Sequence, residues 1–277
     1  MKIQYLGTAA AEGVPALFCE CDNCKKARKL GGKNIRSRSQ AIVDNTLLID
    51  FPADTYMHFI AHDIALYAIK SCIITHSHQD HLYVDDIRMR ANGNFAHVTD
   101  TEHPLTFYAD RAGYEKIKDK TDAMSKKDAD AVLIIPYESF EAEGYKITPL
   151  RASHAPKTSP VLYLIEKDGK TLFYSHDTGK YNDETMNYLE NLEKPLSLVS
   201  FDCTSVCNDN IFSSHLNFAE CVEYKKIFLE KGIADEKTIF VINHFSHNGK
   251  HVNHDELKDI AASEGFLSSY DGMEVDF

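Results

Sequence analysis

An apolar run that stops abruptly in metal-ligating side chains limits this sequence more than any other feature. Cys72, Ile73, Ile74 and Thr75 lead into His76, Ser77, His78, Gln79, Asp80 and His81, so four candidate ligands stand within six residues. A short apolar run of this kind reads as a buried strand, and a polar turn at its end aims several side chains at one point. Imidazole and carboxylate together suit zinc, manganese or iron, whereas an all-oxygen set suits magnesium or calcium. A metal pair needs more groups than one turn supplies, so further ligands are expected singly, at the ends of later strands. The chain offers His154 after the strand-like residues 145–150, Asp177 after 171–174, and His244 after 238–242. Each alone has an ordinary explanation, as a hydrogen-bonded structural histidine or as a turn-forming aspartate before Thr178 and Gly179. Their joint occurrence behind strands is what points to metal.

A second cluster stands near the start. Cys19, Cys21 and Cys24 follow a Cys-x-Cys-x-x-Cys spacing, with Asp22 and Asn23 as turn formers inside it. Thiolates so spaced can reach one tetrahedral zinc at about 2.3 Å per bond, and a closed structural site needs a fourth ligand. His247, three residues beyond His244, is the best candidate. The alternative is a set of free, reduced cysteines in a loop.

The pattern resembles the metallo-β-lactamase fold superfamily, in which a His-x-His-x-Asp-His turn is followed by His, Asp and His on successive strands. The similarity spans nearly the whole chain, including residues 1–7 as an opening strand, 47–50 as a strand ending in a supporting Asp50, and 271–275 as a closing strand. It implies an α/β fold, a four-layered αββα sandwich of mixed sheets, with metals at one edge where strand ends meet. Carried over residue by residue, it implies that His76, His78 and His154 hold one metal, that Asp80, His81 and His244 hold the other, and that Asp177 bridges them. No ligand position is missing. The cysteine cluster, combined with His-x-x-His at the last ligand, resembles the branch containing the cyclic ribosyl phosphate phosphodiesterases of phosphonate breakdown and the pyrroloquinoline quinone biosynthesis B proteins. Asp85, Asp86, Ile87 and Arg88 are similar to that branch's Asp-Asp-Leu-Arg stretch. Glu12, Gly13, Val14 and Pro15, and residues 95–130, match no substrate-defining pattern.

Length and charge set further limits. At 277 residues, with 43% hydrophobic, the chain can bury a large core as one domain over 1–277, carrying a small Cys-rich zinc module at about residues 18–30. Helix-like stretches fall at 183–192 and 218–231. Lys and Asp alternate over 116–131, which reads as a solvated helix or loop on an excursion. The absence of a basic leader or membrane-length apolar run, together with the cysteine usage, gives a cytoplasmic expectation with no membrane partner. A net charge of −12 disfavours long nucleic acid. Residues 25–38, however, hold seven basic side chains and no acidic one, leaving the remainder at −19. This run is either a solvated face or a phosphate-attracting rim.

Two divalent ions about 3.5–4 Å apart lower the pKa of a bridging water and polarise a phosphoryl or carbonyl oxygen, so hydrolysis is the expected chemistry. A phosphodiester also needs its leaving alkoxide protonated. His215 precedes the helix-like 218–231, and the resemblance implies that a histidine there acts as acid or phosphate clamp; a helix start would add backbone donors. Its ordinary reading is a capping or packing histidine. His176, beside Asp177, is expected to support the site rather than to ligate. The function expected is that of a metal-dependent hydrolase of a small phosphodiester, a cyclic phosphate being one candidate. Its cofactors are two divalent ions, zinc or manganese with iron as a third candidate, and one structural zinc. Alternatives are a thioester or lactone hydrolase or a quinone-cofactor biosynthesis protein on the same site, and a non-enzymatic metal-dependent binding protein. A homodimer is left open.

Overall fold

Most strands carry apolar residues on both faces, which leaves them no face for solvent and demands a stack of several layers. The computed structural model describes residues 1–155, 158–208 and 213–277. A first sheet takes β1 (Lys2–Gly7), β2 (Gln40–Val43), β3 (Leu47–Ile49), β4 (Ser71–Ile73), β5 (Leu105–Ala109) and β6 (Ala129–Leu133). A second takes β7 (Phe140–Ala142), β8 (Tyr145–Arg151), β9 (Val161–Lys167), β10 (Lys170–Ser175), β11 (Leu196–Asp202), β12 (Ala234–Asn243) and β13 (Leu267–Ser268); β14 (Met273–Asp276) returns to the first. The strand orders are β14-β1-β2-β3-β4-β5-β6 and β13-β12-β11-β10-β9-β8-β7. The helices are α1 (Asp22–Leu30), α2 (Thr55–Ala61), α3 (Arg111–Thr121), α4 (Asp183–Glu190), α5 (Phe218–Glu230) and α6 (His254–Ser263).

Strand periodicity places the layers. Successive side chains point to opposite faces, so Ile3, Tyr5, Ala41 and Val43 join Leu172, Tyr174, Leu198 and Val241 between the two sheets. Leu6, Ile42 and Leu48, on the other face, pack with Ile117 of α3. Phe173 and Phe201 likewise leave the second sheet to meet Phe228 of α5 and Leu257 of α6. The result is the expected αββα sandwich. Both sheets are mixed. In the first, pairing is antiparallel from β14 to β3 and parallel from β3 to β6. In the second, it is antiparallel from β7 to β10 and parallel from β10 to β13.

One expectation is corrected here. Residues 116–131 are not an excursion: they hold the C-terminal half of α3 and the start of β6, the edge strand of the first sheet, with Ile117, Thr121 and Ala129 buried. Within α3 the charges of Lys116, Lys118, Asp119 and Lys120 surround a buried stripe of Ile117 and Thr121, and Asp122, Lys126, Lys127, Asp128 and Asp130 follow in the turn and the start of β6, so the pattern of charge hid the pattern of burial. Among the described residues no helix is long and apolar enough to cross a membrane.

Candidate metal centre

The carboxyl ends of parallel strands open onto one edge of the sandwich, where ligands gather in open α/β sheets. β3 delivers Asp50, β4 delivers His76–His81, β10 delivers Asp177 and β12 delivers His244; His154 follows β8. Three of these residues leave their strands with left-handed backbone, at φ 66° for Asp50, 54° for Asp177 and 64° for His244. Non-glycine residues adopt that region at a cost of about 1–3 kcal/mol each, so the strand ends are bent against local preference, as is common where side chains are aimed at a site.

All seven residues expected to ligate meet at this edge. Ligand atoms of His76, His78 and His154 lie within 4.8 Å of one another, as do those of Asp80, His81 and His244. Asp177 stands between the two groups, with Oδ2 2.9 Å from His81 Nε2 and from His244 Nε2, and Oδ1 3.7 Å from His154 Nε2. These contacts are close, yet Nε2 of His76, His81 and His244 and Oδ2 of Asp177 are buried with no hydrogen-bond geometry to any partner among the described residues. A buried polar atom left unpaired costs about 1–3 kcal/mol, and several converging on one point call for a ligand. Imidazole lone pairs around a carboxylate are the donor set of a divalent cation. Burial also pushes the His76 pKa well down, which keeps its ring neutral and its lone pair available.

Supporting contacts fix the rings. Asp50, fully buried, takes His81 Nδ1 at 2.7 Å and the Thr75 amide and hydroxyl at 2.8 and 2.9 Å; such a carboxylate partner orients a ligand imidazole. His176 is buried against Ser200 and Asn243, at 2.7 and 3.2 Å, and belongs to none of the groups that could hold a metal.

Two residues absent from the expectations are Asp202 and Thr204. Asp202, at the end of β11, accepts from His215 Nδ1 at 2.9 Å, and Thr204 Oγ1 lies 2.7 Å from His244 Nδ1 and 3.1 Å from His215 Nδ1. The His215 ring stands 4.8 Å from that of His154 and 5.7 Å from that of His244. Burial disfavours charge on His215, but the carboxylate of Asp202, by charge and hydrogen bond, outweighs it and pulls the pKa up to about 9. Asp202 could have been found from sequence, since it ends an apolar run as Asp50 and Asp177 do. The expected helix-start donors beside His215 are a correction. The cap of α5 is Asn217, whose side chain takes the Glu220 amide while Glu220 returns to the Asn217 amide, and the Phe218 amide bonds Val206 O at 2.7 Å. The Asn217, Phe218 and Glu220 amides thus already have partners.

Cys19, Cys21, Cys24 and His247 also come together, with ligand atoms within 4.8 Å of one another. Cys21 and Cys24 lie at the start of α1, and His247 Nδ1 stands 3.5 Å from Cys19 Sγ and 3.6 Å from Cys21 Sγ. Burial resists ionisation of Cys21, but hydrogen bonds from His247 and the Cys24 amide lower its thiol pKa to about 6. A thiol poised to ionise is suited to ligation.

The family model for the beta-lactamase superfamily domain matches residues 47–228, well over half of the chain, and the chain belongs to that family. Its architecture is the metallo-β-lactamase fold. Solved structures sharing it include a diphosphatase from the PhnP family, at TM-score 0.76 and 20% identity over 100% of this chain and 97% of that one. Zn2+-bound PqqB from Methylobacterium extorquens matches at TM-score 0.73 and 18% identity, over 100% of both chains. The short form of human tRNase Z matches at TM-score 0.60 and 14% identity, over 100% of this chain and 99% of that one. At such identities the likeness is one of fold. A search of curated proteins by sequence found no match.

Proposed function

We propose that this chain is a metal-dependent phosphodiesterase acting on a small diester, a cyclic phosphate being one candidate. His76, His78 and His154 would hold one divalent ion and Asp80, His81 and His244 a second, with Asp177 between them; Cys19, Cys21, Cys24 and His247 would hold a structural zinc. When bound, the metal pair supplies a water of lowered pKa and Lewis acidity toward a phosphoryl oxygen. The chain supplies the rest. Asp50 keeps the His81 ring oriented through Nδ1. Asp202 accepts from His215 Nδ1 and holds the ring beside the ligands, where His215 would protonate a departing alkoxide. A hollow of about 360 Å³ lined by Arg151, Ser153, His154, Asn182 and Ser214 offers a cation and hydroxyls to a polar group beside the ligands.

The observation that carries this reading is the Asp202–His215 pair set against the orphaned ligand atoms. When the P–O bond of a phosphodiester breaks, the departing oxygen is a poor alkoxide leaving group and needs a proton from a donor there. The fold likeness to a PhnP-family diphosphatase and to a tRNase Z supports it; the comparable likeness to PqqB is why the test must be chemical. Purified protein loaded with zinc or manganese, given cyclic and linear diesters alongside lactones and thioesters, should release phosphomonoester. Turnover of lactones or thioesters with inert diesters would overturn it.

A further inference from the structure

Away from the metal ligands, one set of buried polar side chains forms a hydrogen-bond chain whose protons can be counted. Gln40 lies at its centre. Its Nε2 faces the Asp50 carbonyl at 2.9 Å and Thr55 Oγ1 at 2.9 Å. The carbonyl only accepts, and the Thr55 hydroxyl donates to Pro52 O at 2.6 Å. The amide orientation is thereby fixed, and Gln40 Oε1 faces His58 Nδ1 at 2.6 Å. An amide oxygen only accepts, so Nδ1 carries a hydrogen. Across the ring, His58 Nε2 lies 2.7 Å from Ser37 Oγ, which lies 2.5 Å from Asp271 Oδ2. Ser37 has one hydroxyl hydrogen for these two contacts. Turned to His58, it obliges Asp271 to hold a proton, or two oxygens would meet with nothing between them. Turned to Asp271, it obliges His58 to be a cation. Either arrangement holds one proton more than an ionised Asp271 beside a neutral His58.

We propose that Asp271, Ser37 and His58 form a proton-binding site that stays loaded at neutral pH, with the proton resting on Asp271, and that the loaded chain braces Asp50. Burial and the count of buried charges favour that resting place, against hydrogen bonds and a cation that favour an ionised Asp271. Arg36 faces Asp271 through Thr8, whose Oγ1 accepts from Arg36 Nη1 at 3.0 Å and donates to Asp271 Oδ1 at 2.6 Å, while the Ser37 amide reaches Oδ2 at 2.6 Å. His58 is faced by Asp54, itself paired with Arg38 at 2.8 Å, and by His62. With the proton on Asp271, Arg36 is the one charge of the three groups; with it on His58, all three are charged, and burying three costs more desolvation than burying one. Burial accordingly raises the Asp271 pKa and lowers that of His58. The brace follows from Gln40, which holds the carbonyl of Asp50 at its left-handed φ of 66°. The carboxylate of the same residue takes His81 Nδ1. Only the value of this brace rests on the proposed metal site; the proton does not.

Infrared spectra of protein carrying 13C-labelled aspartate should show a protonated carboxylic acid at pH 7, with histidine 15N signals placing His58 as neutral. The acid band should vanish in Asp271→Asn, whose amide can donate to Ser37 in place of the acid, and in Ser37→Ala, where Asp271 would ionise. An ionised Asp271 beside a neutral His58 would overturn the site, and an imidazolium at His58 without an acid band would overturn the resting place. A band surviving in Ser37→Ala would mean that burial alone protonates Asp271, against a shared chain. For the brace, His58→Ala should shift or broaden the His81 Nδ1 proton resonance; an unmoved resonance would overturn it whether or not diesters are hydrolysed.

Discussion

Asp202 holds the His215 ring beside the metal-ligand cluster through Nδ1 at 2.9 Å, and the role proposed for His215 depends on that hold. If His215 protonates the leaving oxygen, His215→Ala should lose roughly 10²–10⁴ in rate on a diester with a poor alkoxide leaving group, and much less on a nitrophenyl diester. Rates on the two substrates, with metal content unchanged, check this; equal losses would make His215 a phosphate clamp instead. Asp177→Asn should leave the fold largely intact while abolishing turnover, because an amide cannot balance two cations as a carboxylate does. Gly179 makes a steric point. A Cβ there would sit 2.2 Å from the Ser213 carbonyl oxygen, so Gly179→Ala should push the segment before His215 outward. Overpacking of that kind costs about 1–3 kcal/mol, measurable by denaturant unfolding, with a larger effect on turnover than on metal content. The clustered ligands were legible because a strand end forces chemistry into a short, recognisable spacing. Thr204 was not, because it acts through contacts with His215 and His244 that no spacing announces; Asp202 left a trace as the end of an apolar run, but one aspartate there has many other uses.

At the scale of elements, α1 is a nine-residue helix whose first turn carries Cys24 and whose cap is Cys21. So short a helix is marginal in water unless tertiary contacts hold it, and here His247 beside the cysteines, Asn23 on the His247 and Gly249 carbonyls, and buried Ala27 tie it to the body of the protein. Cys21→Ser should therefore lower thermal stability more than activity per folded molecule, and metal analysis should fall from three ions per chain to two. Three ions in the variant would exclude the cysteine site. The helix-like stretches at 183–192 and 218–231 match α4 and α5 within two residues, and the structure adds the Asn182 and Asn217 caps that start them. The stretch over 116–131 was misread because a helix that packs one narrow apolar stripe shows mostly charge in sequence, and an edge strand lacks the unbroken apolar run of a central one.

For the whole molecule, acid should be felt through His58. Burial lowers its pKa from 6.5 to about 4, with Asp54 opposing and His62 reinforcing. The unfolded chain takes up this proton near 6.5 and the folded chain only near 4, so the contribution is intact above 6.5 and lost as pH falls to 4. It amounts to roughly 3 kcal/mol. Urea unfolding at several pH values should show a flatter acid limb for His58→Gln than for the parent protein. The order in which the sheets are completed has a separate consequence, in the time course of synthesis. β1 pairs on one side with β2 and on the other with β14, so the first sheet waits for residues 273–276 to leave the ribosome. Until then β1 offers an open edge to neighbouring nascent chains. The turn from His76 to His81 is made early, but the sheet that carries it closes last, so the β1 edge is the surface left longest without its neighbour during synthesis.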